Sequence, residues 1–74
     1  MSVGQSVVFT ASGGDGYNYS FDAGPTNGIL AWEQTTYNSV TVTLLNKGGL
    51  TSGWVHVMGY ANGVVEKTVT ITFR

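Results

Sequence analysis

His56 is the only imidazole in the chain, and Asp15, Asp22, Glu33 and Glu66 are its only carboxylate side chains, so a His–carboxylate or paired-carboxylate site has to be built from these five groups. A nucleophilic triad requires a hydroxyl or thiol, a base and an orienting acid within hydrogen-bond reach of one another. His56 sits in the middle of a strand-like run with no acid beside it in sequence, and the serines fall in turns and on strand surfaces. One histidine and no cysteine cannot supply the ligands of a zinc site. Asp15 and Asp22 flank one strand and both fall in loops. Calcium takes roughly six to eight oxygen ligands, whereas the turn at Asp15 offers one carboxylate among glycines. Gly13-Gly14-Asp15-Gly16 also lacks the Lys-Ser/Thr pair and the helix start that cradle a phosphate. The expectation is a non-enzymatic chain with no cofactor and no metal.

Trp32 and Trp54 are the residues that could stack on a sugar, although tryptophans in small sandwiches more often fill the core. Single-stranded nucleic acid would need basic residues interleaved with aromatics. Only Lys47, Lys67 and Arg74 are basic, and the net charge is −1, so no nucleic-acid partner is expected. No run approaches the roughly 20 apolar residues that cross a bilayer. Met1-Ser2-Val3-Gly4 has neither the basic nor the apolar region of a signal peptide. No membrane partner is expected. An initiator-like Met1 directly before the first strand reads as the start of a short gene product; a segment of a larger protein with an added Met1 would read the same.

These residues need a scaffold, and 74 residues suffice for one domain, 1–74, with a thin core. Small domains usually add disulfides, a metal or an oligomer. With no cysteine present, association with another subunit is the expected supplement, including a homo-oligomer. Charged residues make up only 9% of the chain, so solubility rests on Thr, Ser, Asn and exposed backbone. Such a neutral, hydroxyl-rich surface is common on extracellular and virion β-proteins.

Nothing reads as a helix; apolar positions recur with period two. Strands are expected at Gln5–Ala11, Tyr17–Phe21, Ile29–Gln34 and Ser39–Leu45, followed by a long hairpin from Thr51 to Phe73. Ser12-Gly13-Gly14-Asp15-Gly16 reads as a tight turn, and Asp22–Gly28, with Pro25, as a loop. Six or seven short strands at this spacing predict an all-β, antiparallel sandwich. Its core would hold Val7, Phe9, Tyr19, Phe21, Trp32, Val40, Val42, Leu44, Val69 and Ile71.

The run from Val8 to Phe21, a strand followed by Gly13-Gly14-Asp15-Gly16 and then Tyr17-Asn18-Tyr19-Ser20-Phe21, resembles the opening of bacterial and phage Ig-like domains. Ser39–Thr43, Trp54–Gly63 and Thr68–Phe73 are similar to their last three strands. The resemblance implies an Ig-like β-sandwich. It further implies a virion accessory such as a capsid decoration protein at the virion surface, with capsid or other virion subunits as partners. The alternative is an adhesin or carbohydrate-binding module at the cell surface. The Cys pair of antibody-type domains is missing.

Within the hairpin, Trp54, His56, Met58 and Tyr60 share one face of the first arm, and Val55, Val57 and Gly59 share the other. A strand with one solvated face should alternate apolar with polar, and this one does not. A two-residue turn at Asn62-Gly63 would pair His56 with Val69 and bury Trp54, His56 and Met58. That register suits the Ig-like resemblance, which expects a core aromatic at Trp54. A three-residue loop, Ala61-Asn62-Gly63, with a bulge at Gly63 would instead pair Val55 with Val69. Trp54, His56, Met58 and Tyr60 would then face outward beside Thr68 and Thr70. The second register matches valine with valine and avoids a buried histidine. It makes those six residues the expected interaction surface.

Overall fold

The computed structural model describes residues 1–12, 18–60 and 64–74. Alternating valines and threonines over Ser39–Leu44 form β4, the central strand of one sheet, between β1 (Ser6–Thr10) and β3 (Leu30–Thr36). In the second sheet β5 (Ser52–Tyr60) lies between β2 (Asn18–Gly24) and β6 (Val64–Thr72). Every pairing is antiparallel, and no helix occurs among the described residues. The chain changes sheet between β1 and β2, between β2 and β3, and between β4 and β5. The product is a two-layer β-sandwich of six strands, as the spacing of turns predicts.

Period-two alternation places Val40, Val42 and Leu44 on one face of β4, and all three are buried together with Leu30 of β3. They pack against Phe21, Ala23, Val55, Ile71 and Phe73 from the other sheet. Gly53 permits this approach: a Cβ there would lie 2.7 Å from the Phe73 ring and 2.8 Å from the Gly24 carbonyl oxygen. Real Cβ contacts are not that short, so only hydrogen fits between the strands.

The register settles the hairpin. Val55 pairs with Val69 and His56 with Thr68, so the valine-matched arrangement forms. Tyr60 pairs with Val64, leaving 61–63 between the arms. The Ala61-Asn62-Gly63 loop with its bulge, the glycine turn 13–16 and Tyr17 lie outside the described residues.

Three expectations are corrected. Trp32 stands opposite Val42, and Val69 opposite Val55, so both share the inner faces, yet each is 37% exposed. Both belong to strands at a sheet margin, where a neighbour is missing on one side. Val7, Phe9 and Tyr19 are likewise only half-buried. The segment from Asp22 is not yet a loop, because β2 continues to Gly24 and buries Ala23 beside Val55. Leu30 and Phe73, absent from the expected core, are buried in it.

Burial ranks the consequences of truncation. Leu44, at 0% exposure, loses both transfer energy and packing when cut back, so Leu44→Ala is expected to cost about 3 kcal/mol. Trp32→Ala is expected to cost less than half of that. Urea unfolding of the two variants checks the order; equal losses would contradict the marginal position of Trp32.

Candidate docking face

β5 places Trp54, His56, Met58 and Tyr60 on the side of its sheet that faces away from the core, because the alternate residues Gly53 and Val55 face inward. At roughly 3.4 Å per residue the row runs about 20 Å. Cross-strand pairing sets its flanks: Gly24 and Thr70 beside Trp54, Asp22 and Thr68 beside His56, Ser20 and Glu66 beside Met58. All six residues expected at an interaction surface therefore share one face. Trp54 and Tyr60 are 38% and 40% exposed, while His56 and Met58 are half-buried between them.

Each member of the row is held by its neighbours. The six-membered ring of Trp54 lies over Gly24, where a Cβ would come within 2.5 Å of Cζ2. A glycine on the neighbouring strand is thus covered by an aromatic, which shields backbone that has no side chain of its own. His56 Nδ1 shares a 2.8 Å hydrogen bond with the Thr68 hydroxyl, and its Nε2 stands 4.0 Å from Glu66 Oε1. The Tyr60 hydroxyl donates to Met58 Sδ at 3.5 Å. These contacts fix side-chain rotamers on a face without water-excluding walls.

The sequence offered His56 no adjacent acid, but the fold brings Glu66 to it from β6 and sets Asp22 opposite it on β2. The row of imidazole, threonine hydroxyl and carboxylate orients the ring. The backbone N–H groups of β5 itself, the middle strand of its sheet, are engaged in ladders on both sides. Among the described residues, no three His, Asp or Glu side chains gather as metal ligands would. Trp32 and Trp54 lie on different sheets, one on an inner face and one on an outer face, and do not form a joint stacking platform. Asp15 lies outside the described residues. Gly24 was not legible as part of this face, because only the strand register places it under Trp54.

Fold and face define a class: a small antiparallel β-sandwich carrying a half-exposed aromatic and methionine row on one outer surface. Comparisons with models of known families, with curated proteins and with solved structures find no match for the chain.

The Trp54–Gly24 contact is directly testable. Gly24→Ala puts a methyl group where the ring lies, so the ring is expected to swing out. Trp emission should shift to the red, with stronger acrylamide quenching than in the wild type. An unchanged spectrum would mean that the ring does not rest on Gly24.

Proposed function

We propose that the chain is a non-enzymatic structural binding module, a capsid decoration protein or comparable virion accessory, that docks on neighbouring protein subunits. The observation that carries this reading is the outer row Trp54, His56, Met58 and Tyr60, half-exposed on the outer face of its sheet. Aromatic and methionine side chains are enriched where proteins meet, and charged ones are depleted at the centre of such contacts. Here the charges, Asp22 and Glu66, stand to the sides of the row. A row of aromatic and thioether side chains with charges only at its sides suits a broad contact with a repeating lattice.

The Ig-like part of the reading draws support from strand order. The sheets β1-β4-β3 and β2-β5-β6 run, in chain order, as strands B-E-D and C-F-G of the immunoglobulin sandwich do, with no strand in the place of A among the described residues. That sandwich hosts many activities, so the virion assignment rests on the phage-like turn and strand pattern of Val8–Phe21. A second reading, binding of carbohydrate at a cell surface, is favoured by Trp54 alone: its ring is backed by Gly24, partly exposed, and near the hydrogen-bonding Asp22 and Thr70.

Co-sedimentation with candidate phage capsids tests the first reading. The wild type is expected to bind in a regular stoichiometry. Trp54→Ser and Met58→Lys should each weaken binding at least about tenfold, as truncating a central interface anchor does, with circular dichroism unchanged. Binding that both variants retain would remove the face from the interface, and a wild type absent from particles would sink the decoration reading. Trp quenching by glycans, lost in Trp54→Ser, would support the carbohydrate reading instead.

A further inference from the structure

The sandwich has four marginal strands, and three are visibly protected. β1 is only five residues long, β3 carries a bulge between Gln34 and Thr36, and β2 carries Asp22 and runs into Pro25. Short length, bulges, charge and proline are the usual means of blocking an edge. β6 has nine residues and neither proline nor bulge; its charges, Glu66 and Lys67, sit together at one end, and Thr68–Phe73 is uncharged.

Backbone direction along β6 can be read from its C-terminal end. The Phe73 N–H donates to Thr51 of the β5 arm, so odd-numbered residues face β5 and even-numbered ones face away. The Thr72 carbonyl accordingly accepts from the Met1 ammonium at 2.8 Å, and the Arg74 N–H donates to the Met1 carbonyl at 2.7 Å. Met1 closes that end. Between it and the hairpin loop, the outward backbone groups of Glu66, Thr68 and Thr70 face no strand. The edge also overlooks a cleft of about 280 Å³ between β6 and β1, lined by Val7, Phe9 and Ile71, and Val69 is exposed on the same inner side.

We infer that β6 pairs antiparallel with β6 of a second copy, about a twofold axis at Thr68, joining two three-stranded sheets into one of six. Glu66, Thr68 and Thr70 are symmetric about Thr68, so this register pairs each with an outward-facing residue of the other copy and satisfies all three. Like charges also choose it. A twofold centred one residue earlier sets Lys67 against Lys67 of the second copy, and one centred a residue later calls on Thr72, whose carbonyl Met1 already holds. The Thr68-centred register places the aliphatic stem of Lys67 opposite Val69 of the second copy, covering an apolar side chain that β1 leaves open. This interface uses the edge of the sheet and does not rest on the docking-face reading.

Light scattering and hydrogen exchange test it. The wild type is expected to rise toward twice the 7.8 kDa chain mass as concentration increases, insensitive to added salt. Amides of Glu66, Thr68 and Thr70 should exchange slowly in the dimer and at least about tenfold faster on dilution to monomer, while those of Lys67, Val69 and Ile71 stay protected. Thr70→Pro removes an outward donor and no bond to β5, so it should give a folded monomer. Val69→Lys, an inward charge on the edge, should do the same without altering the backbone. A wild type that is monomeric throughout, fast exchange at the three even positions in a dimer, or a dimer that survives Val69→Lys would each overturn the proposal. Trp54→Ser should leave the dimer intact, which separates failure here from failure of the docking face.

Discussion

The pairing of Val55 with Val69 is the constraint on which the rest of the molecule depends. Side chains alternate across a strand, so one register fixes the facing of every residue in both arms of the hairpin. With valine opposite valine, Val55 and Ile71 reach the core, and Gly53 is the point where Phe73 and Leu30 close over the second sheet. The same choice leaves an aromatic, an imidazole, a thioether and a phenol along the outer side of β5. Core and candidate site are thus two sides of one strand, and neither could be moved without the other.

That arrangement answers the shortage of apolar volume in a chain of 74 residues. Only β4 presents a continuous inner row at 0% exposure, because it is the one strand of its sheet with neighbours on both sides. Toward the margins burial falls off, and Trp32, Val69, Val7 and Phe9 remain partly open on faces that point inward. The sandwich is therefore well filled along its axis and incomplete along the flank between β1 and β6. An interior of this kind gains from anything that extends either sheet, which joins the thin core to the unprotected edge of β6.

The hairpin offers two surfaces of different chemistry. Its outer face presents side chains whose backbone is already paired, so what it offers is ring surface, sulfur and a few flanking hydroxyls. Its free edge presents backbone groups, which demand another strand and care little about sequence. The imidazole of His56, tied to Thr68 on β6, lies between them.

Much of this was written in the sequence. Period-two runs of β-branched residues separated by glycine, asparagine and proline dictate strands, and the absence of cysteine rules out disulfides and thiolate ligands. Four expected strand positions, the long hairpin and the inward Val40, Val42 and Leu44 follow from local pattern alone. The sequence left two hairpin registers open, because both faces of β5 are apolar and the alternation that usually marks the solvent side is missing. Only tertiary packing chose between them, by matching Val55 and Ile71 to the inner face of β4. The position of Gly24 under Trp54, the approach of Glu66 to His56 and the exposure of Trp32 were likewise decided by which strands became neighbours. Local alternation says that a residue faces one side; only the partner sheet decides whether that side is covered.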